Sequence, residues 1–241
     1  MHYTAACSNE DAAETMPGRA RSRSPRRELR QDECLQQCWR LGKKRAYSNS
    51  SCIELLRVHE HIPASFKLYR DDEWLRGCPS KFTPLTKEAI ATPFPAVKMN
   101  VGVHCSDLAH RIELLDEWVF AEVKRQQHNL GIPFTGGLDI NTRSSLFTRE
   151  NRPPTLDAKI YMDSCAKPTQ IAINECPQNN VRDALLHLAD CFPSWHDWQC
   201  IPFRAEVQPT HVWVAHHTGK IGIDYKLVSL YLLHDTPDAH S

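Results

Sequence analysis

From Ile201 to Leu233 apolar side chains fall at alternate positions through three segments, the last two joined by a turn at Thr218-Gly219-Lys220. A period of two is the mark of an extended chain with one face buried. The first segment sets Ile201, Phe203, Ala205 and Val207 against Arg204 and Glu206. The second, about His211 to His217, turns Val212 and Val214 inward and His211 and Trp213 outward. The third carries Ile221, Ile223, Tyr225, Leu227, Tyr231 and Leu233 on one face. Its other face begins polar (Gly222, Asp224, Lys226) and ends apolar (Val228, Leu230, Leu232). Such a change in burial along one strand is expected where a sheet bends into a barrel. The last third of the chain is therefore expected to be antiparallel β-structure ending in a hairpin.

Upstream, Val97, Met99, Val101 and Val103 alternate with Lys98, Asn100, Gly102 and His104, which predicts a half-buried strand. A helix should follow. Ser106 suits its N-cap, Asp107 suits the positive end of the helix dipole, and Leu108, Ile112, Leu115, Trp118 and Val119 form one stripe. Glu113, Asp116 and Glu117 are placed mainly off that stripe, and Gly131 offers a left-handed stop. Residues 131–155 read as loop. Leu156, Ala158, Ile160 and Met162 then mark a second strand, with Asp157, Lys159, Tyr161 and Asp163 on its other face. Thr169 to Glu175 reads as a further strand, and Asn180 caps a short helix through Cys191. These elements make an α+β domain with a closed or nearly closed antiparallel sheet, one long amphipathic helix and a short second helix.

The N-terminal quarter has a different character. Arg19, Arg21, Arg23, Arg26, Arg27 and Arg30 crowd a polar run of residues 1–30, while the whole chain balances 29 basic against 29 acidic residues. The run lacks the apolar side chains needed to offset ordering, so it is expected to be a disordered basic arm. Its charge suits nucleic acid or the import machinery of a nucleus. Residues 31–62 are poorly patterned and read as short helices, with short edge strands possible near 66–69; the folded domain is taken as 63–241. No segment has a secretory h-region or a membrane-spanning apolar run. The expected location is nuclear or cytoplasmic, not secreted, with no membrane partner and the ten cysteines as thiols.

No catalytic motif stands out, and the expectation is a non-enzymatic protein without a cofactor. Cys34, Cys38, Cys52 and His59 have the ligand types for zinc but match no finger spacing. His59-Glu60-His61 also suggests the histidine pair of rolling-circle nucleases, without the apolar residue usual between the two. Asp157, Asp163 and Glu175 suggest a metal-dependent nuclease, without the lysine partner of that core. Surface carboxylates explain them as well. What remains is the outward register, which presents Lys98, Asn100, Lys159, Tyr161, Arg204, Trp213 and Lys226. Cations that attract phosphates and rings that stack on bases suit single-stranded nucleic acid. An ordinary polar sheet face is the alternative.

Several blocks together carry a resemblance: Val97-Lys98-Met99-Asn100-Val101-Gly102-Val103, Leu114-Leu115-Asp116-Glu117-Trp118-Val119, Arg152 to Ile160, Val212-Trp213-Val214, and Ile221 to Val228. In order and spacing they resemble the OB-fold, single-stranded-DNA-binding-like proteins of large eukaryotic DNA viruses and their algal and protist relatives. The resemblance covers about residues 90–234, with Tyr225 where that family usually has tryptophan. It implies an antiparallel OB-like β-barrel that binds single-stranded DNA or RNA through the seven outward residues. A protein-interaction or structural module of the same fold, without nucleic-acid binding, is the runner-up; a divergent metal-dependent nuclease is third.

Overall fold

The structure is a computed structural model that describes residues 38–58, 65–68, 75–76, 87–91, 96–103, 105–132, 141–149, 152–192 and 202–233. The basic run at 1–30, Cys34 and His59 lie outside the described residues. In chain order the described strands are β1 (Trp39–Ala46), β2 (Ser50–Arg57), β3 (Phe66–Lys67), β4 (Leu75–Arg76), β5 (Ala96–Gly102), β6 (Asn141–Thr142), β7 (Leu146–Arg149), β8 (Arg152–Tyr161), β9 (Gln170–Ile173), β10 (Cys176–Pro177), β11 (Pro202–Ala215) and β12 (Lys220–Leu232). The described helices are α1 (Lys87–Ala91), α2 (Ser106–Gln126) and α3 (Val181–Cys191).

One sheet runs β1-β2-β11-β12-β8-β5 and curls into a half-barrel. Two expectations change here. The sheet is mixed: β12 is antiparallel to β11 but parallel to β6, β8 and β9. Residues 39–57 form a β-hairpin instead of short helices, and β2 pairs with β11. Ser51, Ile53 and Leu55 bury one face of β2 in strict alternation, the pattern of a strand. The loop expected at 131–155 also contains β6 and β7, strands too short to show a period.

The hairpin at the chain's end explains the odd burial pattern noted above. The first two segments are one continuous strand, β11, and each hairpin strand contains a bulge. Pro209 pairs with Tyr225 and His211 with Asp224, so Thr210 is the extra residue on β11. Glu206 pairs with Ser229 and Val207 with Leu227, so Val228 is the extra residue on β12. Each insertion reverses which parity faces inward. Ile221, Ile223, Tyr225 and Leu227 are buried before Val228, and Leu230 and Leu232 after it. Tyr231 is consequently 38% exposed, although its parity matches Tyr225. A phase change at Val228 produces the apolar end of this strand.

Helix α2 buries Leu108, Ile112, Leu115, Val119 and Val123 and packs against β12, β6 and β7. Each such side chain contributes roughly 2 kcal/mol of transfer free energy. The N-cap position is Cys105, one residue before the expected Ser106, and Gly131 takes the expected positive φ of 54°. Helix α3 begins as expected: the Asn180 side chain accepts from the Asp183 N–H at 3.0 Å. The Asp163 carboxylate adds a second cap by accepting from the Val181 N–H at 3.0 Å. Among the described residues no helix is long and apolar enough to cross a membrane.

Candidate functional site

The pleat decides which outward residues meet. On β5 and β8, Lys98 stands opposite Lys159, and Asn100 opposite Asp157. Across the parallel pair, Lys159 is in register with Lys226 on β12. Three lysines thus form a row across three strands. Such a row is self-repelling, and Asp224 relieves it by accepting from Lys159 Nζ at 2.6 Å; both side chains are 29% exposed. Asn100 Nδ2 donates to Asp157 at 2.9 Å.

Trp213 lies beside this row. Its cross-strand partner is Gly222, and a Cβ there would fall 2.4 Å from the indole. The indole therefore packs directly on the backbone of β12 at Gly222, in a seat that only glycine leaves open. A cleft of about 60 Å³ opens next to it, lined by Lys98, Arg143, Asp157, Lys159, Trp213 and Asp224. That volume holds about four waters, or the edge of one planar ring. It cannot enclose a whole ligand.

Three of the seven expected residues, Lys98, Lys159 and Trp213, come together in the cleft, and Asn100 is tied to its rim through Asp157. Tyr161 and Lys226 form a separate pair: Lys226 Nζ lies 5.2 Å from the centre of the tyrosine ring and also donates to the Lys167 carbonyl. Burial pushes the Lys226 ammonium down and the Tyr161 hydroxyl up from their ordinary pKa values. Arg204 pairs with Tyr231 at the other end of β11. Nine residues separate it from Trp213, roughly 30 Å of strand, so it does not belong to this site.

Two contributors were missed. Arg143 enters from the segment between β6 and β7, its guanidinium 5.1 Å from the centre of the Phe147 ring. Asp116 lies beneath the cleft wall, buried, accepting from Ser145 N at 2.7 Å and Ser145 Oγ at 2.6 Å. Burial pushes its carboxyl up to about 6, against the two hydrogen bonds, with Glu113 and Glu117 adding to the rise. Helical spacing held a signal for it, since Asp116 is four residues beyond Ile112 and falls on the buried stripe. Tyr225 completes the floor, fully buried, its hydroxyl close to Ser145 and Asp116. Burial, then the Asp116 charge, holds that hydroxyl protonated.

The proposed metal ligands are not gathered. Cys38 lies opposite Val58, whose N–H it accepts, whereas Cys52 lies opposite Arg45. Six residues of strand part them, roughly 20 Å, too far for one zinc ion. Asp157 is held by Asn100, Asp163 caps α3, and Glu175 sits in the turn after β9 at φ 64°. Among the described residues no group of three His, Cys, Asp or Glu side chains could hold a metal ion. No family model matches this chain, and no curated protein matches it.

Proposed function

We propose that the outward face of β5, β8, β12 and β11 binds single-stranded nucleic acid, with one base stacked on Trp213, phosphates held by Lys98 and Arg143, and the Lys159–Asp224 pair beside the base. The observation that carries this is the close seating of Trp213 on Gly222 beside a cation-lined cleft. An indole held in one place on the outward face, and only half-buried there, can stack on a base, and stacking is indifferent to sequence. Tyr161 and Lys226 extend the same surface by one strand position. The OB-like assignment is part of the proposal and is supported by the curl of the sheet, although its path from β1 to β5 is that of a half-barrel. The runner-up, a protein-interaction module of the same fold, draws support from Asp157 and Asp224, which offset part of the cleft's positive charge.

The test is a fluorescence titration of single-stranded and duplex DNA with the full chain and with a chain lacking residues 1–30. A chain cut at the expected domain boundary, residue 63, is unsuitable because it lacks β1 and β2 of the sheet. Binding should prefer the single strand without the arm, with a slope of log K against log salt of about −1.4. Trp213→Ala should weaken it by about 1–3 kcal/mol. No binding by the armless chain would overturn the proposal in favour of the interaction module, and cleavage dependent on added Mg²⁺ or Mn²⁺ would favour the nuclease.

A further inference from the structure

The cleft beside Trp213 also has a hydrogen-bonding pattern, and it is asymmetric. Along β12, Asp224 lies two residues from Gly222, roughly 7 Å from the seat of the indole. That distance is close to the width of a base. At this point Lys159 presents an ammonium donor and Asp224 a carboxylate acceptor, locked side by side at 2.6 Å. Both are about two-thirds withdrawn from solvent, so hydrogen bonds made there compete weakly with water. Among the described residues, Lys159 is the one partner of the Asp224 carboxylate.

From this arrangement we infer that the Lys159–Asp224 pair reads guanine in the single strand, an inference that rests on the nucleic-acid reading above. An ionised carboxylate only accepts, and it has two oxygens to fill. Guanine has two adjacent donors on its Watson–Crick edge, N1–H and the N2 amino group, next to the O6 acceptor. With the base stacked on Trp213, Asp224 accepts from N1–H and N2–H while Lys159 donates to O6. Adenine and cytosine offer the pair one donor and one acceptor, leaving half of the carboxylate unmet. Thymine sets its single donor between two acceptors, so its O2 faces the carboxylate and is repelled. Single strands expose these edges, which is how proteins distinguish unpaired bases.

The experiment compares the full-length protein on eight-residue thymidylate strands that are unmodified or carry one central guanine, inosine or adenine. Guanine should tighten binding about tenfold or more over thymine, the discrimination of one well-formed bidentate contact. Inosine, which lacks the N2 amino group, should fall between guanine and thymine. Asp224→Asn should bring the guanine-to-thymine ratio to near one. Equal affinity for all strands would overturn the inference and leave the nucleic-acid reading standing, whereas no binding to any strand would end both. A guanine ratio that survives in Asp224→Asn, or inosine bound as tightly as guanine, would also overturn it. The inosine comparison needs no variant and decides the matter even where Asp224→Asn fails to fold.

Discussion

Trp213 has its orientation because its cross-strand neighbour has no side chain. Without Gly222 the indole would have to stand away from the sheet, since a Cβ there comes within 2.4–2.9 Å of three ring atoms. Gly222→Ala should therefore lift the ring, at a cost of about 1–3 kcal/mol in stability. The change should appear as a difference in tryptophan emission that is absent in a Trp213→Phe background. An unchanged spectrum would mean that the ring is not seated on β12. Trp213 could be assigned to the outward face from alternation alone. Its resting place could not, because the partner of Trp213 depends on the register of β11 against β12.

At the scale of elements, the bulges at Thr210 and Val228 keep the two long strands in step. Phe203, Ala205 and Val207 face inward at odd positions, whereas Val212 and Val214 face inward at even ones. The extra residue Thr210 reconciles them, and Pro209 beside it has no N–H to contribute to the ladder. Deleting Thr210 should turn Val212 and Val214 out of the core and His211 and Trp213 into it, a one-residue slip. The expected result is loss of cooperative unfolding, monitored by circular dichroism during heating. A deletion variant with the native transition would show that the bulge is dispensable. The reversal of phase is visible in the sequence, where it looks like a break between two strands. That both halves belong to one strand follows only from continuous pairing with β12.

For the molecule as a whole, Asp116 links stability to pH. Its carboxyl rises from 3.8 to about 6 on folding, so the folded state favours the protonated form. The contribution is fully present below pH 3.8 and is lost as pH rises through about 6. By then the buried charge costs up to about 3 kcal/mol. His216 acts in the opposite sense: desolvation first, with Lys44 and His217 nearby, depresses its pKa, so acid destabilises the protein through it. Asp116→Asn, which keeps an acceptor for the Ser145 N–H, separates the two effects. Its melting temperature should exceed that of the wild type at pH 7.5, and the difference should vanish near pH 4. A difference that does not vary with pH would show that folding leaves the Asp116 carboxyl at its ordinary pKa.

Alternation and helical spacing in the sequence determined most of the secondary structure. They marked β5, β8, β9, the terminal hairpin, the buried stripe of α2 and the Asn180 cap of α3, because those signals are local and repeat within a few residues. They also assigned Lys98, Lys159 and Trp213 to the solvent side. Tertiary structure alone decided that β12 runs parallel to β8, that residues 39–57 extend the sheet, and that Arg204 lies far from the cleft. It also placed Arg143 and Asp116 at the site. Strand order and register depend on contacts between residues distant in the chain, and no period within a single strand encodes them.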